Sequence, residues 1–149
     1  MNFRDFLRSV RTDFPQLTIA NSRPTSPFDD SYNCIAWAAE DADNWWWPDV
    51  MGQNYWPTGV PREESLDAFI RAFGFQGYIV CVDASLEMGR EKVAIYTTSN
   101  GKPTHASRQL LDGWWVSKLG QQIDIEHEYG ALDGPVYGTV AVILSRPKK

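Results

Sequence analysis

The sequence has little of several features that mark common functional classes. It contains only two cysteines and two histidines in 149 residues, which indicates neither a disulfide framework nor a zinc signature with closely paired ligands. No apolar run approaches the ~18 residues of a membrane-spanning helix, and charges interrupt the N-terminus where a signal peptide has its apolar region. We therefore expect a soluble cytoplasmic protein with no metal or cofactor, although export without a cleaved signal is compatible with the sequence.

Positive charge is also scarce. The chain has 14 Lys and Arg against 19 Asp and Glu, a formal net charge of -5, and its basic cluster is the terminal pair Lys148-Lys149. Because binding to a phosphate backbone needs clustered cations, this composition argues against a nucleic-acid partner. The length predicts a single domain, residues 1–149, that can bury a core without disulfide or metal support.

Apolar residues recur at helical spacing in the first half of the chain. Asn2 is a good N-cap for a helix over residues 3–12, and a second helix is predicted from Cys34 to about residue 43. A third begins at Pro61 and ends at Gly74. The segment between the second and third helices contains tryptophan, glycine and proline and is predicted to be irregular.

The second half is rich in β-prone residues. The continuous apolar run 78–82 predicts a strand covered on both faces, with Cys81 in the core. Asn100-Gly101 predicts a hairpin turn. Strands are predicted at residues 92–98, 104–110, 114–117 and 136–144. The fold class expected is α+β, with N-terminal helices packed on an antiparallel sheet of four to five strands.

Cys34 is the first candidate for a catalytic residue. Polar, cap-type residues precede it and an apolar helix-forming run follows, so its thiol is expected in the first turn of a helix. Backbone N–H groups and the helix dipole at that position can lower a thiol pKa from its usual ~8.5. The alternative is a small buried apolar residue, which is equally common for free cysteine.

His105 is the candidate base. It lies on the second arm of the predicted hairpin, where it shares one face with Ser107 and Gln109. In a Cys-His pair the imidazole takes the thiol proton and later returns it to the leaving group. The alternative is a histidine at the strand surface, and His127 is a second choice of base.

The first half of the chain holds five tryptophans that could form a platform beside the thiol. Core packing is expected for at least two of them. Three consecutive tryptophans cannot all point inward, so at least one should line a cleft or partner surface. The candidate substrate-binding residues are Trp37, Trp45, Trp46, Trp47 and Trp56.

Two stretches carry a resemblance to known enzymes. Residues 33–38, Asn-Cys-Ile-Ala-Trp-Ala, resemble the nucleophile region of papain-like cysteine hydrolases. Residues 92–96 with Gly101 and Thr104-His105-Ala106 resemble the hairpin of the NlpC/P60 amidases and peptidases. The chain is also similar to small uncharacterised bacterial proteins that share these motifs and a Ser-Lys-Leu-Gly turn. The resemblance implies a papain-like fold and Cys-His hydrolase chemistry.

The sequence departs from these families at three positions. Lys92 stands where NlpC/P60 proteins have their catalytic histidine, and no asparagine follows His105 as it does in papain. Phe28 stands near the position of the papain oxyanion glutamine, so the backbone N–H of Cys34 and the side chain of Asn33 would bind the oxyanion. The residues left to orient the imidazole are Ser117, Gln121 and Asp124, with Ser117 and Asp124 ranked together.

Two functions are consistent with these observations. In the first, Cys34 attacks an amide, isopeptide or thioester bond, His105 transfers the proton, and Ser117 or Asp124 orients the imidazole. The substrate would be a peptide, a protein or a peptidoglycan-type molecule, and the protein could act as a bacterial effector, toxin or defence component. In the second, the scaffold is inactive and binds a protein partner through its Trp-rich loop, residues 44–57.

Overall fold

The computed structural model describes residues 2–26, 34–41, 44–119 and 123–148. Within them the chain forms three short helices and seven strands. The helices are α1 (Phe3–Ser9), α2 (Cys34–Ala38) and α3 (Leu66–Gly74). The strands are β1 (Ser22–Ser26), β2 (Ile79–Cys81), β3 (Arg90–Thr97), β4 (Pro103–Gln109), β5 (Trp115–Lys118), β6 (Asp124–His127) and β7 (Thr139–Pro147).

All seven strands belong to one antiparallel sheet with the order β1-β6-β5-β4-β3-β7-β2. The expected fold class was therefore wrong, because the molecule is mainly a large sheet and not a set of N-terminal helices on four or five strands. The resemblance to papain-like hydrolases is not tested by this difference and stays a prediction. Strands β1 and β6 were not predicted, because they are short and polar and lack a clear apolar alternation, and β1 contains Pro24.

Helices α1 and α3 begin at good N-caps, and all three helices are shorter than predicted. The Asn2 side chain accepts a hydrogen bond from the Asp5 backbone N–H at 2.9 Å, which starts α1 as expected. Helix α3 starts later than Pro61, because the Ser65 hydroxyl accepts the backbone N–H of Ala68 at 3.2 Å and caps the helix there.

The hairpin predicted at Asn100-Gly101 is confirmed as β3 and β4, with Gly101 at a φ of 83°. A second glycine has a stricter role at the start of β7. Gly138 has a φ of 75°, and a Cβ atom placed on it would lie only 1.9 Å from the carbonyl oxygen of Thr97. Only glycine allows the chain to approach β3 this closely before β7 begins.

The sheet is covered on both faces, so it has two cores. On the first face, here called the helix face, α2, α3 and the Trp-rich loop pack on residues such as Val93, Ile95 and Ala106. On the opposite face, the N-terminal face, α1 and the segments 10–17 and 131–137 pack on Ala94 and Tyr96. Consecutive residues of a strand alternate between these two faces.

The apolar run 78–82 contains an edge strand and not the strand covered on both faces that was predicted. Strand β2 pairs only with β7, and Ile79 and Val80 are 63% and 54% exposed. Val82, just after the strand, is 99% exposed, and Cys81 is partly buried. A continuous apolar run predicts burial on both faces only where other elements cover the strand, and here none of the described elements does so fully.

Candidate functional site

Cys34 is the first residue of α2 and is buried on the helix face. Burial raises the pKa of its thiol to about 11, although backbone N–H groups of Ala106 and Ile35 and the charge of Lys118 act in the opposite direction. The prediction of a lowered pKa was therefore wrong. A five-residue helix supplies only a small dipole, and the loss of hydration outweighs it.

Asp124 lies on the same face of the sheet as Cys34. It pairs with Lys118 across β5 and β6, and both residues are buried. Lys118 is close enough to influence the Cys34 thiol, and paired residues of neighbouring strands project to the same face. Asp124, one of the two residues predicted to orient the imidazole, therefore lies on the same face as the Cys34 thiol, under α2.

His105 precedes Ala106 on β4 and therefore points to the opposite, N-terminal face. Its ring stacks on Tyr137 with centroids 3.9 Å apart and meets the ring of Tyr96 edge-on at 5.1 Å. The imidazole is fully buried, and neither ring nitrogen has a hydrogen-bond partner within the described part of the chain. Burial, followed by the nearby His127, holds the pKa of His105 well below its usual value, so it is neutral at physiological pH.

Ser117 lies on the same face as His105 but is bonded to the other histidine. The Ser117 hydroxyl is 2.7 Å from Nε2 of His127, and Nδ1 of His127 is 2.9 Å from the Glu128 carbonyl oxygen. A carbonyl can only accept, so Nδ1 carries the proton and Nε2 accepts from Ser117. Burial lowers the pKa of His127 to about 4, which makes it a neutral, structural histidine.

The sheet thus divides the four predicted catalytic residues into two pairs. Cys34 and Asp124 lie on the helix face, and His105 and Ser117 lie on the N-terminal face. A base must come within hydrogen-bond reach of its nucleophile, and a strand of the sheet separates this thiol from this imidazole. The structure does not bring the predicted Cys-His pair together. The sequence did contain a signal of this separation. Neighbouring residues of a strand point to opposite faces, and Ala106, which is small enough to pack closely under a helix, is next to His105.

The edge of the sheet has an uncovered strand segment that was not predicted from the sequence. Strand β2 covers β7 only along Ile143–Ser145, whereas β3 pairs with β7 from Thr139 onward. The segment Thr139–Val142 therefore has no neighbour on its outer side among the described strands. A groove of about 560 Å³ lies there, between β7 and the chain that leaves β2, and its lining includes Val80, Val82, Asp83 and Tyr129.

A comparison with family models shows which family the chain belongs to. A family model described as a domain of unknown function, DUF7689, matches residues 23–145, from β1 through most of β7. The chain belongs to the DUF7689 family. No curated protein and no solved structure matches it. The matched residues of the DUF7689 domain include both histidines, Cys34 and the free edge of β7, whereas α1 lies outside them.

The Trp-rich loop of the DUF7689 domain is mainly part of its core. Trp46 and Trp56 are buried, as expected for at least two tryptophans, and their indole N–H groups donate to the Asp41 carboxylate and the Pro61 carbonyl. Trp45 and Trp47 are half-buried, and Trp47 meets Phe69 edge-on. The apolar side chains that this loop exposes are instead Val50, Met51 and Tyr55.

Asn33, the candidate oxyanion donor, and Gln121, a candidate to orient the imidazole, lie outside the described part of the DUF7689 domain. Trp37 belongs to α2, but its side chain is not described. Among the residues that are described, no group of histidine, cysteine and carboxylate side chains is arranged to hold a metal ion. None of the described helices has the length and apolar character needed to cross a membrane.

Proposed function

We propose that this DUF7689 domain is a protein-interaction module that binds an extended segment of a partner protein at the free edge of β7. The observation that carries the proposal is the outer side of the Thr139–Val142 backbone, which none of the described strands covers, beside the exposed apolar residues at the end of β2. The bound segment would continue the line of β2 and pair with β7. This replaces the Trp-rich loop as the expected binding surface, because the two most buried of its tryptophans belong to the core.

The chemistry of a sheet edge favours a polypeptide as the ligand. Unpaired backbone N–H and C=O groups are satisfied when an extended chain adds a strand, which is a common mode of peptide recognition. Natural proteins usually protect such edges with charges or proline, and the segment Thr139–Val142 contains neither. Main-chain bonds would supply affinity, and the exposed apolar side chains of Val80 and Val82 would contact alternate residues of the partner segment.

The charge of the groove restricts the partner further. Asp83 lies in the lining, and hydrogen bonds from Ser85 together with the charge of Lys92 lower the pKa of its carboxyl group. Asp83 is therefore anionic at neutral pH, and the whole chain carries a net charge of -5. An alternating apolar segment with a neighbouring Lys or Arg is the complementary partner.

The test is selection of binding peptides from a random display library, followed by affinity measurement with the full chain. We expect selected peptides to alternate apolar residues, to include a basic residue, and to bind at least tenfold more weakly to Val82→Lys and Ala141→Lys. Both positions are exposed, so these variants should fold. Hydrogen exchange of Thr139–Val142 should slow when the peptide binds.

Val50→Lys is the matched control, because it places the same charge on an exposed apolar residue of the Trp-rich loop. It should leave peptide affinity unchanged. The proposal fails if selected peptides bind Val82→Lys and the native chain equally well, or if Val50→Lys abolishes binding. In the second case the Trp-rich loop would be the interaction surface.

A second candidate is the hydrolase or acyl transferase that depends on Cys34. It is favoured by the backbone N–H groups of Ala106 and Ile35 that point at the sulfur and by the neighbouring Lys118, since each of these stabilises a thiolate. In this geometry Lys118, and not His105, would be the basic group beside the thiol. The candidate requires a Cys34 that reacts at neutral pH, which alkylation measures directly.

A further inference from the structure

A groove of about 340 Å³ lies between α1 and the loop that leads to β1. Its lining residues fall within 4–11 on one side and within 15–19 on the other. The predicted catalytic residues, the Trp-rich loop and the edge groove of β7 have no part in this lining. The groove also lies outside residues 23–145, which the DUF7689 model matches. It is therefore a separate surface of the molecule.

Both walls of this groove are fixed by the fold. On one side, Phe6 and Val10 are buried in the core of the N-terminal face and hold α1 against the sheet. On the other side, the Asn21 side chain accepts the backbone N–H of Thr18 at 2.8 Å and donates to the Gln16 carbonyl at 2.8 Å. Because these walls are already ordered, the groove needs little reorganisation when it binds a ligand.

Three arginines border the groove, and no carboxylate is among its lining residues. Arg4, Arg8 and Arg11 are exposed, and their spacing of four and three residues places them on one side of α1 and of the turn that follows it. Arg8 lies 3.8 Å from Asp5, whereas neither Arg4 nor Arg11 forms an ion pair with any residue that the structure describes. Two cations at the groove are therefore uncompensated.

Apolar side chains lie beside these cations. Leu7 is half-buried and follows Arg4 by three residues and precedes Arg11 by four, so it is their neighbour on the helix. From the opposite wall, Leu17 is buried and Ile19 is 53% exposed. The groove thus combines an apolar contact surface with cations that have no partner of their own.

We propose that this groove binds an acidic segment of a partner protein in which an apolar side chain is flanked by Asp or Glu. The flanking carboxylates pair with Arg4 and Arg11, and the apolar side chain packs on Leu7 and Ile19. Arginine clusters are a common means of recognising acidic motifs, because the planar guanidinium matches a carboxylate. The volume is at the lower end of the ~300–1,000 Å³ found for ligand sites, so a short segment fills it.

The distribution of charge favours a peptide over an anionic membrane. The chain has a net charge of -5, but at physiological salt each charge acts over only about 8 Å. A segment inside the groove therefore experiences mainly the three arginines. A planar bilayer cannot follow a concave surface, and it would also meet Asp5 and Asp13, the exposed carboxylates of the same part of the chain. This inference does not depend on the proposed peptide site at β7.

The test uses a panel of synthetic peptides in which one Leu, Ile or Phe stands between pairs of Asp or Glu, with affinity for the full chain measured by fluorescence anisotropy. We expect saturable binding that is at least tenfold weaker for the double variant Arg4→Gln with Arg11→Gln. Ile19→Ser, or serine in place of the apolar residue of the peptide, should weaken binding at least threefold. Asp5→Asn should tighten binding about twofold, because it releases Arg8, and unfolding cannot produce that result.

Three control variants separate this groove from other surfaces. Arg71→Gln removes an exposed cation that is paired with Asp67 on α3, and Leu111→Ser removes an exposed apolar residue. Val82→Lys alters the edge groove of β7. All three should leave the affinity for the acidic peptides unchanged. The proposal is overturned if no peptide of the panel saturates, or if the double arginine variant binds as well as the native chain. Tighter binding to vesicles that contain phosphatidylserine than to any peptide would also overturn it, because the partner would then be a membrane.

Discussion

Acidification from pH 7.5 to pH 5 should destabilise this protein through its two buried histidines. An unfolded histidine titrates near 6.5, whereas burial lowers the folded pKa of His127 to about 4 and that of His105 well below 6.5. Below pH 6.5 the unfolded chain therefore binds protons that the folded chain does not bind. Stability falls as the pH falls, and the loss from His127 ends near pH 4.

The size of the loss in unfolding free energy follows from the difference between the folded and unfolded pKa values. One pH unit inside this window costs about 1.4 kcal/mol for each histidine, so His127 alone accounts for a loss of about 2 kcal/mol at pH 5. His105 adds a loss in the same direction. Asp49, Asp83 and Asp112 have lowered pKa values and act at more acidic pH, since their unfolded value is 3.8.

Urea denaturation at pH 7.5, 6, 5.5 and 5 measures the effect. The slope of unfolding free energy against pH should approach the uptake of two protons between pH 6 and pH 5. His105→Phe, which keeps an aromatic ring against Tyr137, should reduce the slope by about one proton. A stability that is constant across this range would refute the burial of both imidazoles.

Two further substitutions, each with a matched control, test contacts of the fold. Gly138→Ala should destabilise the protein by on the order of 3 kcal/mol or more, because its Cβ would meet the Thr97 carbonyl, whereas Gly59→Ala, with open space around it, should cost only about 1–2 kcal/mol in urea denaturation. Ser117→Ala leaves the buried Nε2 of His127 without its donor and should cost about 1–3 kcal/mol by the same assay. Ser85→Ala, which removes an exposed hydrogen bond to Asp83, should have a smaller effect than Ser117→Ala, and equal losses would contradict the assigned His127 contact.

Local patterns predicted the central part of the fold. Asn100-Gly101 specified a two-stranded unit by turn chemistry alone. The N-caps Asn2 and Ser65 likewise act through contacts within one helical turn. Such features are visible in sequence because the interacting residues are only a few positions apart.

Features that depend on distant segments were not predictable in the same way. The apolar run at 78–82 indicated a strand covered on both faces, but whether a strand is central or at an edge depends on which segments pair beside it. Strands β1 and β6 pair with each other although about a hundred residues separate them, and their polar sequences gave no signal. The sheet consequently has more strands than the periodicity indicated.

The candidate site shows the same difference between local features, which are visible in the sequence, and features that depend on distant segments. The order of Cys34 and His105 along the chain suggested a catalytic pair, but their meeting requires that both project to one face of β4 and its neighbours. Alternation places Ala106, and not His105, under α2. A helix start alone likewise did not determine the Cys34 pKa, because the degree of burial is a property of the whole core.

The separation of Cys34 from His105 by the sheet is tested most directly by the pH dependence of iodoacetamide labelling. Labelling of Cys34 and Cys81 is followed separately by mass spectrometry in the native chain and in His105→Ala. We predict that native Cys34 labels more slowly than the partly buried Cys81 at pH 7, with an apparent pKa near 11 that does not depend on His105. Rapid labelling with a pKa below ~8.5 that is lost in His105→Ala would contradict it and establish a thiolate-imidazolium pair.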